Sequence, residues 1–136
     1  MENYKEKFVQ FLAAKGVKYI DHDERVVELR YGAENITSLR ILVFFDRNNE
    51  NAVHFVGTDI CTFKDEKIPA ALVTCNQLNG KFRWIKFYID EDQEMRAEAD
   101  AVLDINSVGE ECYELVGRLV GIVDEAYPDI MKAMFM

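Results

Sequence analysis

Near the start of the chain apolar residues recur at helical spacing. Tyr4, Phe8, Phe11 and Leu12 fall on one side, with Lys5, Lys7 and Gln10 elsewhere. Gly16 follows directly, so the spacing predicts a first helix that stops there. The period then shortens to two. Lys18 to Ile20 and Arg25 to Tyr31 flank the polar turn Asp21-His22-Asp23-Glu24 and predict a hairpin. Ile36 to Phe45, rich in branched and aromatic residues, predicts a strand. The turn Asn48-Asn49-Glu50-Asn51 leads into a further strand, Ala52 to Phe63, with Gly57 as a candidate bulge.

Helical spacing returns over residues 65–79, where Ile68, Ala71, Leu72, Cys75 and Leu78 form one stripe. Pro69 fits the first turn, and Asn79-Gly80 reads as the stop. Two alternating runs follow. In Phe82 to Asp90 the apolar positions are Ile85, Phe87 and Ile89; in Gln93 to Asp104 they are Met95, Ala97, Ala99, Ala101 and Leu103. Paired strands must agree on the buried face, which sets position 90 against 94. That register places Tyr88 opposite Arg96, Lys86 opposite Glu98 and Trp84 opposite Asp100 outside, with Phe87 facing Ala97 and Ile85 facing Ala99 inside.

A third helix opens with the capping-box pattern Ser107-Val108-Gly109-Glu110. Cys112, Leu115, Val116, Leu119, Ile122, Val123 and Ala126 give it a broad apolar face. Pro128 is expected to end or kink it, leaving Asp129 to Met136 as a short terminal turn. The order α-β-β-β-β-α-β-β-α is dominated by hairpins, which predicts an α+β fold with a twisted antiparallel sheet and three helices. At 136 residues the chain is expected to form one domain, 1–136.

The net charge of −9 disfavours phosphate backbones and anionic membrane surfaces. Neither nucleic acid nor membrane is expected as a partner; basic protein segments suit the charge better. Cys61, Cys75 and Cys112 are an odd number without a C-x-x-C pair, against a disulfide framework or a cysteine-rich zinc site. The segment MENYKEKFVQFLAAKG lacks an apolar secretory core, so a cytoplasmic location is expected.

Little in the chain points to catalysis. Cys75 lies on the apolar stripe near a helix C-terminus, where the dipole raises a thiol's pKa, and reads as core. His22 sits in a solvated turn, and His54 could meet an acid across the sheet. Asp90-Glu91-Asp92-Gln93-Glu94 resembles half a calcium loop but lacks its glycine and its closing glutamate. With no G-x-S-x-G, H-E-x-x-H, P-loop or G-x-G-x-x-G, no catalytic, metal or cofactor residues are assigned, and a non-enzymatic role is expected.

Two features lean towards protein contact. Gly117 and Gly121 lie in the third helix away from its apolar centre, where each costs about 1 kcal/mol relative to alanine; close approach of a second helix or a partner would account for them, and so would simple relief of crowding. Phe82, Trp84 and Tyr88 are expected to share the outer sheet face with Leu42 and Phe44, an aromatic surface suited to a partner or covered by Arg96 through a cation–π contact. The contact candidates are therefore Phe44, Phe82, Trp84, Tyr88, Arg96, Gly117 and Gly121.

Several stretches resemble the YbjN family of bacterial proteins. They are Phe11-Leu12, Gly16-Val-Lys-Tyr19, Lys64-Asp-Glu-Lys-Ile68 with Asn76-Gln-Leu-Asn79, Lys81-Phe-Arg-Trp-Ile-Lys-Phe-Tyr-Ile-Asp90, and Asp124-Glu-Ala-Tyr-Pro128-Asp-Ile-Met. The resemblance implies a fold like that of class I type III secretion chaperones, a role in sensory transduction or regulation through protein contacts, and no established catalysis. Such chaperones are typically acidic homodimers. The chain departs from the family at the tip Asp90 to Glu94, where relatives often carry a glycine. The expected function is a protein-binding regulator or chaperone-like adaptor. The alternative is a small-ligand sensor or an enzyme with a pocket between the third helix and the sheet.

Overall fold

The computed structural model describes residues 3–49 and 51–136. Within the expected turn at 48–51, Glu50 lies outside the described residues, as do Met1 and Glu2 of the N-terminal segment. Helix α1 (Tyr4–Lys15) is capped by Asn3, whose side chain accepts from the N–H of Glu6, and ends at Gly16 in the left-handed conformation (φ 72°). Strands β1 (Ile20–Asp21), β2 (Val26–Tyr31), β3 (Leu39–Phe45) and β4 (Ala52–Thr58) follow. A 3-10 turn, Asp65–Lys67, leads into α2 (Ile68–Lys81), then β5 (Lys86–Ile89), β6 (Met95–Val102) and α3 (Val108–Phe135).

The six strands form one antiparallel sheet in the order β1-β2-β3-β4-β6-β5. Strand β3 alternates buried and half-buried positions along its length, as expected of a sheet with one covered face. Leu39, Ile41, Val43 and Phe45 point inward and share a single core with Phe8 and Leu12 of α1, Ala71 and Leu78 of α2, and Val116, Leu119 and Val123 of α3. The β5–β6 register is the expected one: Tyr88 pairs with Arg96, Lys86 with Glu98 and Phe87 with Ala97.

Several expectations are corrected. Gly57 is no bulge, because its pairing with Ile41 and Ala97 continues both ladders unbroken. The strand from Ala52 stops at Thr58, since Asp59 takes φ 60° and turns the chain. Asn79-Gly80 is not the helix stop; α2 continues to Lys81, and the N–H of its cap residue Phe82 reaches Leu78 O. Leu72 does not belong to the buried stripe of α2 and is 54% exposed. Ser107 precedes α3 but makes no side-chain capping bond. Pro128 lies inside α3, which runs through to Phe135.

Gly109 marks where two helices touch. A Cβ there would stand 2.7 Å from Phe11 Cβ, so only glycine lets α3 seat against α1. Within the chain, close approach of a second helix occurs here and not at Gly117 or Gly121, where none of the described residues lies within 4 Å of a Cβ.

Candidate functional site

No described helix covers the outer sheet face, which carries Phe44, Tyr88 and Arg96 among the candidates. It is closed by its own charges. Glu28 is 3% exposed although it points away from the core, because His22, Arg30 and Arg40 each bond it, at 2.7, 3.0 and 3.1 Å. Burial alone would raise its pKa; the bonds from His22, Arg40 and Arg30 outweigh that and bring it down to about 2. His22, expected in a solvated turn, is thus one arm of this cluster.

His54 meets two acids. Nε2 lies 2.7 Å from Glu98 and Nδ1 2.8 Å from Asp100, and its ring tilts against Phe44 at 6.1 Å. Tyr88 donates its hydroxyl to Glu98. Burial, and then that bond, push the phenol up to about 12. The expected cation–π partner is replaced: Arg96 bonds Asp90 at 2.8 Å, and Lys86 sits over the Tyr88 ring at 5.3 Å. These contacts cover the aromatics from within the chain.

Phe82 and Trp84 do not share that face. Phe82 caps α2 and tilts against Phe87 at 6.4 Å. Trp84 takes φ 76°, in the left-handed region that costs a residue with a side chain roughly 1–2 kcal/mol. This turn swings the indole from the outer face to an edge contact with core residue Phe55, with ring centroids 5.9 Å apart, and its N–H donates to Asp100 O at 3.1 Å. Alternation along a strand cannot show such a reversal, because it presumes extended backbone at every position.

The two open glycines lie one turn apart on α3 and line different depressions. Gly121 lies beside Trp84 in a groove of about 720 Å³ with Leu115, Arg118 and Ile122. Gly117 lies in a cavity of about 380 Å³ with Tyr31, Tyr113 and Val120. The structure therefore leaves Phe44, Tyr88 and Arg96 on the outer face, Trp84 and Gly121 at a groove, Gly117 at a smaller cavity and Phe82 at the end of α2.

A surface the sequence reading missed lies on α2. Pro69, Ala70, Leu72, Val73, Asn76, Gln77 and Gly80 face solvent, with Leu72 54% and Val73 58% exposed. The available signal was compositional: residues 68–80 contain no charged residue, in a chain with 30% charged residues. Assigning Leu72 to the buried stripe hid it.

Burial holds the thiols in their protonated form. Burial pushes Cys61 up to about 12 and Cys75 up to about 11, and raises Cys112 as well. Among the described residues no cluster of three or more His, Cys, Asp or Glu is placed to hold a metal ion. No described helix is long and apolar enough to cross a membrane.

An antiparallel sheet with three helices packed on it defines an α+β domain. The model of the YbjN family, described as "Putative bacterial sensory transduction regulator", matches residues 6–130, and the chain belongs to that family. The crystal structure of YbjN from E. coli superposes with a TM-score of 0.65 at 11% identity, covering 90% of this chain and 87% of that one. The heterodimeric ExoU–SpcU complex from the type III secretion system of Pseudomonas aeruginosa contains a chain similar at a TM-score of 0.57 and 16% identity, covering 93% of this chain and 96% of that one. The HopA1–SchA chaperone–effector complex matches at 0.47 and 16% identity, over 87% and 91%. No curated protein matches the sequence.

Proposed function

We propose that this protein is a non-enzymatic, protein-binding regulator or chaperone-like adaptor that pairs with its own copy through the bare face of α2. The observation that carries the reading is the exposure of Leu72 and Val73 on a helix face without charge. A chain of net charge −9 repels its copy over most of its surface. An uncharged face is where two copies meet without like charges in contact, and a two-fold contact is self-complementary by symmetry. Family membership and the chaperone-like fold support protein contact as the mode of action.

Light scattering tests the pairing. The protein should have the mass of a dimer, and Leu72→Glu with Val73→Lys should give a folded monomer. A monomeric parent, or a variant of unchanged mass, would overturn the α2 interface. The alternative, a small-ligand sensor, draws on the cavity between α3 and β2 lined by Tyr31, Tyr113 and Gly117. Filling it with Gly117→Leu should leave regulation intact if protein contact is the function.

A further inference from the structure

Next to that cavity around α3, the turn between α2 and β5 and the helix border the groove of about 720 Å³ lined by Trp84, Leu115, Gly121 and Ile122, together with Arg83 and Arg118. Two residues converge on it. Trp84 is held in a backbone conformation that bulky residues avoid, and such outliers cluster at ligand clamps. The indole N–H is already bonded to Asp100 O and its edge rests on Phe55, which fixes the ring in place beside the groove. Gly121, with nothing within 4 Å of a Cβ, keeps the floor open at a position where alanine would favour the helix.

The rim is cationic in an acidic protein. Among the described residues Arg83 has no hydrogen bond or ion pair. Arg118 has only the exposed Glu114, at 3.3 Å, a pair of small worth in water. Glu125 also lines the groove, one turn beyond Gly121, so the lining carries two cations and one anion. Local complementarity thus runs opposite to the net charge.

We infer that this groove is a docking site for an acidic segment of a partner protein, which lays an apolar side chain over Gly121 against Trp84 and sets carboxylates on Arg83 and Arg118. This deepens the protein-binding reading and rests on it. It also revises the expectation, drawn from net charge, of basic partner segments.

Trp84 is the chain's only tryptophan, so its fluorescence reports the site alone. The probes are a short acidic peptide with a central Leu-Phe pair and its counterpart with every acid replaced by lysine. The acidic peptide should produce a saturable spectral shift, with affinity at least about tenfold above the basic one and falling with added salt. Arg83→Glu with Arg118→Glu should abolish that preference. Gly121→Leu should block both peptides, while the circular dichroism and melting temperature of each variant match the parent. No saturable shift, equal affinity for the two peptides, or binding unchanged by Gly121→Leu would overturn the site. A natural partner whose binding survives all these variants would sink the groove and leave the protein-binding reading standing. A partner lost with them, together with the peptide, would support both.

Discussion

Asn35 supplies the hydrogen bond that Pro128 denies to Asp124. The carbonyl of Asp124 lies four residues before Pro128, whose ring nitrogen has no hydrogen to donate to it. Asn35 Nδ2 donates to that oxygen at 3.1 Å. In return Asp124 Oδ1 accepts the backbone N–H groups of Asn35 at 2.7 Å and Ile36 at 2.8 Å. The β2–β3 loop is thereby fastened to α3, and buried Ile36 is set into the core. The arrangement gives a physical reason for the Asp124 to Pro128 stretch that carries part of the family resemblance.

Removing either partner should loosen this joint unequally. Asn35→Ala frees one carbonyl and should cost about 1 kcal/mol. Asp124→Ala strips two backbone N–H groups of their acceptor, one of them on buried Ile36, and should cost about 2–3 kcal/mol. The double variant should lose less than the sum, because both act on one joint. Urea denaturation of the three variants measures this; full additivity would mean the two residues act separately.

Glu28 predicts a specific acid sensitivity. The native carboxyl titrates near 2 and an unfolded glutamate near 4.5, so the native state binds fewer protons between those values. Its contribution is complete above about pH 4.5 and fades as pH falls through about 2. Glu28→Gln should lower stability at pH 7 by on the order of 2 kcal/mol, a figure reduced for the solvent-facing Arg30. The variant should also flatten the stability profile between about pH 5 and 2. Denaturation midpoints across that range decide it, and parallel profiles would refute the assignment.

The hairpin β5–β6 was legible because alternation in two strands leaves one register in which both buried faces agree, and Tyr88 opposite Arg96 followed from it. The helix at residues 108–135 was legible only to Pro128, because its rescue by Asn35 comes from 93 residues away and leaves no local trace. Trp84 was assigned to the wrong face because one left-handed residue reverses the parity of a strand end. At the hairpin tip the missing glycine has a counterpart in Gln93, which takes φ 63° and bonds Phe63 O through Nε2 at 3.0 Å. A tertiary contact there offsets a local conformational cost. The site was less legible than the fold, since exposure of Leu72 depends on where α2 docks and periodicity does not fix that.

The thiols should report opening of the core. Burial pushes the Cys61 thiol up to about 12, so very little of it is thiolate at pH 8. Cys75 and Cys112 are buried. Iodoacetamide should therefore label all three slowly in the native protein, and at the rate of a free thiol in urea. Rapid native alkylation of Cys75 would refute its core assignment.

Asn79 should matter more than an exposed residue at a helix end ordinarily does. Its Oδ1 accepts the N–H of Phe87 at 2.7 Å and its Nδ2 donates to Phe87 O at 3.0 Å, so one side chain replaces a neighbouring strand at the edge of β5. This joins α2 to the sheet and occupies backbone groups through which another chain could add. Asn79→Ala should cost about 1–3 kcal/mol by leaving both groups of Phe87 unpaired, whereas Asn79→Asp should keep the bond from the N–H and lose the other. Both variants should also aggregate faster than the parent at equal fraction folded, because the edge is open. Turbidity at matched stability separates this from simple unfolding: an alanine variant that is less stable but no more prone to associate would show that Asn79 only anchors the helix.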